Sequence, residues 1–219
     1  CVYGGPTDTL DDCGNNFSAI NEGAGTAAGA SYDFGNGFLA AIGYTGSGTS
    51  KDGLLTKEGD DAYAAQLSYT ADNYGLSVTF AEKENPIMTQ TVTDTTLFGF
   101  NAYYSPEENG FPSISAGFET ASSEIPALST NDTDSNTWFI GLQWDELGNG
   151  TLGAAVGTKQ HTVDSDSSSV QDEELMYEVF YSYDVNDAIT ITPIFYIQTQ
   201  SEANTEDETG VIVKSSFSF

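Results

Sequence analysis

The chain has 219 residues, of which 33 are acidic and only 5 are basic, giving a formal charge of −28 at pH 7. This balance excludes nucleic acid as a partner, because binding to phosphates requires Lys and Arg, and it favours hydrated cations instead. No apolar run approaches the roughly 18 residues that a membrane-spanning helix requires.

Alternating apolar and polar residues, bounded by Gly, Asn, Asp and Pro, predict β-strands along almost the whole chain. The predicted strands are mostly 9–12 residues long, close to the roughly 9–11 residues of a tilted membrane-spanning strand and longer than the roughly 5–6 residues typical of soluble domains. The pattern predicts eleven strands, at 26–34, 38–46, 62–71, 75–83, 95–105, 112–120, 137–145, 150–159, 174–184, 188–199 and 210–219.

Short and long connections alternate between these strands. The predicted short turns are 35–37, 72–74, 106–111, 146–149 and 185–187. The predicted long loops, all rich in Ser, Thr, Asp and Glu, are 47–61, 84–94, 121–136, 160–173 and 200–209. Membrane β-barrels show this asymmetry, with tight periplasmic turns and long outer loops. By the same alternation, residues 1–25 are predicted to form a further outer loop.

The two faces of the predicted strands differ in composition. Aromatic residues fall on the face predicted to point outward, many of them near strand ends, where an interfacial girdle would lie. Carboxylates avoid the strand centres, and only Glu178 is predicted at mid-strand. Glu178 and Lys214 lie on strands separated by one other, so we expect them to oppose each other. The pore-lining candidates are Gln66, Asn101, Gln143, Glu178, Gln198 and Lys214.

The last strand alternates apolar or small residues with polar ones and ends on Phe217 and Phe219. This ending resembles the C-terminal signature of bacterial outer-membrane β-barrels. We therefore predict an all-β fold, a transmembrane antiparallel β-barrel with about eleven strands in this chain. It forms one domain over residues 1–219, with an outer loop at 1–25 and membrane strands at 26–219.

The two cysteines, Cys1 and Cys13, have no metal-binding or redox spacing. We expect a disulfide that closes a polar loop, which implies an oxidising compartment. Two free thiols, or a lipidated Cys1, are the alternatives.

The sequence predicts no enzymatic activity, no cofactor and no formed metal site. The single histidine, His161, lies in an acidic loop and is expected to be solvated. Asp132, Asp134 and Asn136 have the first spacing of a calcium-binding loop, but the later Gly and Glu positions are not matched. Weak binding of Ca²⁺ or Mg²⁺ by the acidic outer loops is the remaining expectation.

Several segments resemble the major porins of cyanobacterial outer membranes, the iron-uptake porin family. The resemblance covers most of residues 23–219, and the segments that carry it are 25–38, 138–144 with 148–150, 177–183, 189–193 and 217–219. It implies a homotrimeric barrel of about sixteen strands that contacts outer-membrane lipid, with an N-terminal S-layer-homology domain. That domain and about five strands are absent here, so we expect the chain to be the C-terminal barrel portion; alternatively, residues 16–21 hold a twelfth strand.

The predicted function is diffusion of small hydrophilic solutes, including carbohydrates, and inorganic ions through an outer-membrane porin. A cation preference follows from the charge, and iron as a solute follows from the resemblance alone. The alternative is a secreted acidic β-sandwich used for adhesion, which would be soluble without detergent.

Overall fold

The structure, a computed structural model, describes residues 26–47, 55, 60–87, 91–107, 110–124, 132–166, 170–201 and 205–218. These residues form one antiparallel sheet of twelve strands. The strands are β1 (Thr26–Gly35), β2 (Phe38–Ser47), β3 (Asp60–Thr70), β4 (Tyr74–Ile87), β5 (Thr91–Tyr104), β6 (Ser113–Glu124), β7 (Thr133–Trp144), β8 (Gly150–Thr158), β9 (His161–Ser165), β10 (Leu175–Asn186), β11 (Ile189–Gln198) and β12 (Glu208–Phe217).

Each strand pairs with its neighbour in sequence, apart from an interruption at β9. Strand β7 pairs with β8 over Phe139–Trp144 and with β9 over 133–136, so β8 and β9 together fill one position in the sheet. Thr137 Oγ1 donates a 2.8 Å hydrogen bond to the Thr158 carbonyl where the ladder is interrupted. Eleven of the twelve strands correspond to the eleven predicted ones, and β9 is additional. Strand β9 lies within the predicted loop 160–173, which is therefore partly a strand.

A second difference concerns the predicted loop 84–94. Strand β4 continues to Ile87 and β5 begins at Thr91, and the two pair over this whole length. The loop prediction was wrong because period-2 alternation continues beyond the apolar part of these strands, with polar residues on both faces. Polar composition alone does not distinguish such a strand end from a loop.

The cross-strand register divides the sheet into two faces. The apolar face includes the row Ile42, Ala65, Phe80 and Phe98. The opposite face, here called the mixed face, carries polar, small and a few large apolar side chains. Its central row runs Gln66, Thr79, Gly99, Glu119 and Thr137.

Burial of the two faces is opposite to that of a soluble sheet. On the apolar face Ile42 is 65 % exposed and Phe80 47 % exposed, whereas Ser115 on the mixed face is fully buried. The large buried side chains of the mixed face cluster as Phe139, Ala155, Met176, Phe180 and Ile194. A β-sandwich needs two sheets packed face to face, and the described strands form a single sheet. No helix in the described ranges is long and apolar enough to cross a membrane.

Candidate pore-lining face

The six predicted pore-lining residues all lie on the mixed face. Asn101 and Gln198 belong to one continuous cross-strand row, which runs Asn101, Gly117, Phe139, Gly157, Met176 and Gln198. Gln66, Gln143, Glu178 and Lys214 lie in neighbouring rows of the same face. That they line a water-filled channel stays a prediction.

The hydrogen bonds of these side chains run mainly within the wall. Gln66 Nε2 donates to Thr79 Oγ1 over 2.9 Å, and Gln143 Nε2 donates to Asp145 Oδ1 over 3.0 Å. Asn101 Oδ1 is buried without a hydrogen-bond partner. Gln66 and Gln143 are therefore held by polar contacts along the face, whereas the Asn101 oxygen is not.

Glu178 and Lys214 do not oppose each other, contrary to expectation. On β11 the partner of Glu178 is Tyr196, whereas the partner of Lys214 is Thr192. Four residues of strand correspond to about 14 Å, so the two charges are far apart along the wall. Glu178 is also only 1 % exposed, so its effect on solutes would act through its electric field.

The mixed face carries a second mid-strand carboxylate that the sequence pattern did not predict. Because β6 extends to Glu124, Glu119 lies in the middle of a strand, and it is 6 % exposed. It faces Gly99 across the ladder. A Cβ on Gly99 would lie 3.7 Å from Glu119 Cγ, which is ordinary van der Waals contact. The sequence did hold a signal for this position, because strand alternation places Glu119 on the same face as Ser115 in the centre of the strand.

A polar cavity of about 910 Å³ lies at the short-turn end, between the β7–β8 and β10–β11 turns. Asp145 Oδ1 accepts hydrogen bonds from Gln143 and Thr151, and Asp184 Oδ1 accepts one from Thr190 Oγ1 over 2.7 Å. Carboxylates held in this way at a cavity wall create a negative potential that concentrates cations.

At the long-loop end, Glu174 joins three segments. Its carboxylate accepts hydrogen bonds from Lys159 Nζ at 3.1 Å, from Ser201 N at 3.2 Å and from Ser201 Oγ at 3.1 Å. The bond from the Ser201 backbone is the main cause that lowers the pKa of Glu174 below its ordinary value, with the Lys159 ammonium also contributing. Glu174 is therefore ionised and connects the start of β10 to Lys159 and Ser201 through hydrogen bonds.

His161 is buried rather than solvated, contrary to expectation. It is 8 % exposed, and its Nδ1 lies 3.1 Å from the Lys159 carbonyl. Asp134 and Asn136 lie in strand β7, where they pair with residues of β6 and β9. They therefore do not belong to a calcium-binding loop. Within the described ranges, no three His, Cys, Asp or Glu side chains are gathered closely enough to hold a metal ion.

Aromatic residues flank the apolar face at two levels. Phe38 and Tyr44, Tyr63 and Tyr69, Trp138 and Trp144, and Tyr177 and Tyr183 each lie six residues apart on one strand, about 20 Å. At the short-turn end the Phe38 and Tyr69 ring centroids are 4.7 Å apart, and at the other end Tyr44 and Tyr63 are 5.3 Å apart. Membrane barrels carry such girdles on both sides of an apolar band.

Of the remaining predicted sites, Phe217 lies exposed on the apolar face beside Ile189. Phe219, Cys1 and Cys13 lie outside the described residues.

The sequence matches no protein-family model and no curated protein. Solved structures show similarity of fold. An anion-selective porin from Comamonas acidovorans aligns with a TM-score of 0.73 at 14 % identity, covering 96 % of this chain and 66 % of that one. A second porin, refined at 1.8 Å resolution, aligns with a TM-score of 0.62 at 16 % identity, covering 87 % and 60 %.

The OmpT outer-membrane protein of Vibrio cholerae, with its loop L8 deleted, aligns with a TM-score of 0.63 at 10 % identity, covering 96 % of this chain and 72 % of that one. The chain thus has the fold of bacterial outer-membrane porins and spans less than two thirds of the length of the first two.

Proposed function

We propose that this chain forms the larger part of the wall of an outer-membrane diffusion porin that passes small hydrophilic solutes and inorganic ions. The observation that carries the proposal is the arrangement of the two faces. Large apolar side chains between two aromatic levels are exposed on one face, while polar, small and a few large apolar side chains lie on the mixed face. This distribution fits a wall with lipid on one side and water on the other.

In this proposal the barrel is closed by further strands between β1 and β12, which do not pair with each other in the described sheet. A total of about sixteen strands is supported by the fraction of the solved porins that the chain covers. Bacterial single-chain barrels have even strand numbers. The homotrimer, the cyanobacterial outer membrane and the S-layer-homology domain rest on the family resemblance.

We propose a preference for cations, although one structural neighbour is an anion-selective porin. The support is the net charge of −28 and the carboxylates at both ends of the sheet. Charged pore mouths concentrate counter-ions, and screening over about 10 Å at 0.1 M salt weakens the effect. We further propose that the solutes include iron and carbohydrates. We also propose that the acidic outer loops bind Ca²⁺ or Mg²⁺ weakly.

The test is conductance of the full-length protein in a planar bilayer under a KCl gradient. We expect ohmic channels. At low salt their reversal potential should indicate a cation preference, and as the salt concentration rises the reversal potential should approach zero. Lys214→Gln should increase the preference, whereas Lys214→Arg keeps the charge and should leave it unchanged. Protein that stays monodisperse without detergent and forms no channels would refute the porin. Channels that prefer anions would refute only the selectivity.

A further inference from the structure

The central row of the mixed face changes from open to packed as it crosses the sheet. Gln66 on β3 is exposed and its partner Thr79 on β4 is half-buried. The row then continues through Gly99, Glu119 and Thr137, all of which are buried. Within one row, at one height along the wall, the part on β3 and β4 is therefore accessible and the part beyond it is not.

The adjacent row, one step nearer the short-turn end, changes in the same way. Ser68, Ser77 and Asn101 are half-buried, and the row continues to Gly117 and Phe139, which are buried. Both rows thus become packed at β5 or β6, so the change is a property of the wall and not of one side chain.

Distance from the edge of the sheet does not explain this difference. Strand β3 is third from the β1 edge, and β11 is second from the β12 edge. Thr192 and Ile194 on β11 are nonetheless buried, whereas Gln66 on β3 is exposed. The strand nearer to an edge is the more buried one, so the difference lies in how the two parts of the wall are packed.

Side-chain size differs between the two parts. The ring of Phe180 occupies the space next to Gly153, and the ring of Tyr196 occupies the space next to Gly210, where a Cβ would lie 2.3 Å from Tyr196 Cζ. Large side chains thus lie along the wall over glycines of the neighbouring strands. The centres of β3 and β4 carry alanine, serine, threonine and Gln66 on this face. Close packing leaves few voids larger than a water molecule, so we expect water on the second part and not on the first.

We propose that the water path of the porin runs along β3 and β4, past Gln66, Ser68, Ser77 and Thr79, here called the open strip. The mixed face of β6 to β11 is then a packed, dry part of the wall. This inference rests on the proposed porin function and names the residues that solutes contact. Of the predicted pore-lining residues, Gln66 lies in the path, whereas Glu178 lies in the packed part.

The chemistry of the open strip indicates a class of solute. Its hydroxyl and amide groups both donate and accept hydrogen bonds, and none of them is charged. Discrimination in a pore depends on its width, on the hydrogen-bonding groups that line it and on electrostatic barriers. The open strip therefore suits small, uncharged, hydroxylated solutes, while preference among ions comes from the carboxylates at the two ends of the sheet.

The experiment measures thiol accessibility in channels of the full-length protein, with Cys1 and Cys13 replaced by serine. Ser77→Cys and Ser115→Cys form one matched pair, and Thr79→Cys and Thr137→Cys form a second pair within a single row. A methanethiosulfonate reagent reacts with thiolates that are accessible to water. In planar bilayers we expect a loss of conductance at Ser77→Cys and Thr79→Cys and none at the other two. Mass spectrometry of the protein in lipid vesicles should show labelling of the same two variants.

Swelling of liposomes with a neutral pentose as the probe tests the class of solute. Modification of Ser77→Cys should slow pentose entry, and treatment of Ser115→Cys should leave it unchanged. Equal loss of conductance at Ser77→Cys and Ser115→Cys would overturn the proposed path, as would a labelled Ser77→Cys protein with unchanged conductance. Unchanged pentose entry after labelling of Ser77→Cys would overturn the solute class. Absence of channels before any reagent is added would refute the porin itself, whereas channels with the wrong labelling pattern overturn only this inference.

Discussion

Replacement of Gly153 by alanine tests how tightly the mixed face is packed. A Cβ at this position would lie 2.1 Å from Phe180 Cε1 and 2.4 Å from Cζ. Carbon atoms pack at about 3.5–4.0 Å, so the ring would have to move by roughly 1.5 Å. Phe180 belongs to a buried cluster with Phe139, Met176 and Ile194 and is 4 % exposed, so movement of its ring would disturb these neighbours. We expect a loss of about 1–3 kcal/mol in unfolding free energy, the usual range for overpacking.

Gly99→Ala is the matched control on the same face. Its Cβ would meet Glu119 no closer than 3.7 Å, which is ordinary contact, so the change should stay within about 0.5 kcal/mol. Urea unfolding of protein reconstituted in lipid vesicles, followed by the fluorescence of Trp138 and Trp144, measures both variants.

The double variant Gly153→Ala/Phe180→Leu makes the test specific to this contact. Leucine has no ring over residue 153, so the two substitutions should couple by about 0.5–3 kcal/mol. The reasoning is refuted by a Gly153→Ala protein as stable as Gly99→Ala, or by a loss that is unchanged when Phe180 is shortened.

Three further predictions follow from the ends of the sheet. In a background without the two native cysteines, a cysteine at Val170 should react with an impermeant reagent on intact cells and one at Asn186 should not; the reverse pattern would invert the topology. The pKa of Glu174 is lowered in the folded state, so its stabilising contacts are complete above its ordinary pKa and are lost as pH falls through the lowered value. The protection of the Ser201 amide against hydrogen exchange, relative to its intrinsic rate at each pH, should therefore decrease in acid, and Glu174→Gln should remove this pH dependence; unchanged protection contradicts this role of Glu174. Reduction of the predicted disulfide should loosen residues 1–25 and leave barrel melting nearly unchanged, because we expect it to constrain only an outer loop, with a stabilisation of about 3 kcal/mol at most; collapse of the barrel on reduction would show that residues 1–25 are not such a loop.

The strand positions and the face of each residue were predictable because period-2 alternation is a local property. Phe80 and Gln66, for example, lie on the faces that parity assigned to them. Strand ends were less predictable at the long-loop end, where Glu84 and Asp94 continue the strands with residues that resemble a loop. The loop boundary at residues 84–94 was wrong for this reason.

Burial within the mixed face depends on neighbours that are distant in sequence. Glu178 was identified as inward-facing, but its near-complete burial depends on side chains from adjacent strands, such as Ala155 and Tyr196. The burial of His161 likewise results from the pairing of β9 with β7. The boundary between the open strip and the packed part of the wall is likewise visible only once the strands are placed in register.

The order of the strands also has a consequence for how the chain assembles. From β1 to β8 every partner is the next segment in the chain, so the sheet can grow hairpin by hairpin without threading a loop. Local pairing of this kind lowers the entropy lost at each closure and speeds folding. At every stage the newest strand presents an unpaired edge, which is prone to pairing with another chain. At Lys159 the succession changes, because β10 pairs with β8 while β9 remains on β7. The β10–β11 hairpin must therefore skip β9 to join β8, and we expect assembly to slow at this point.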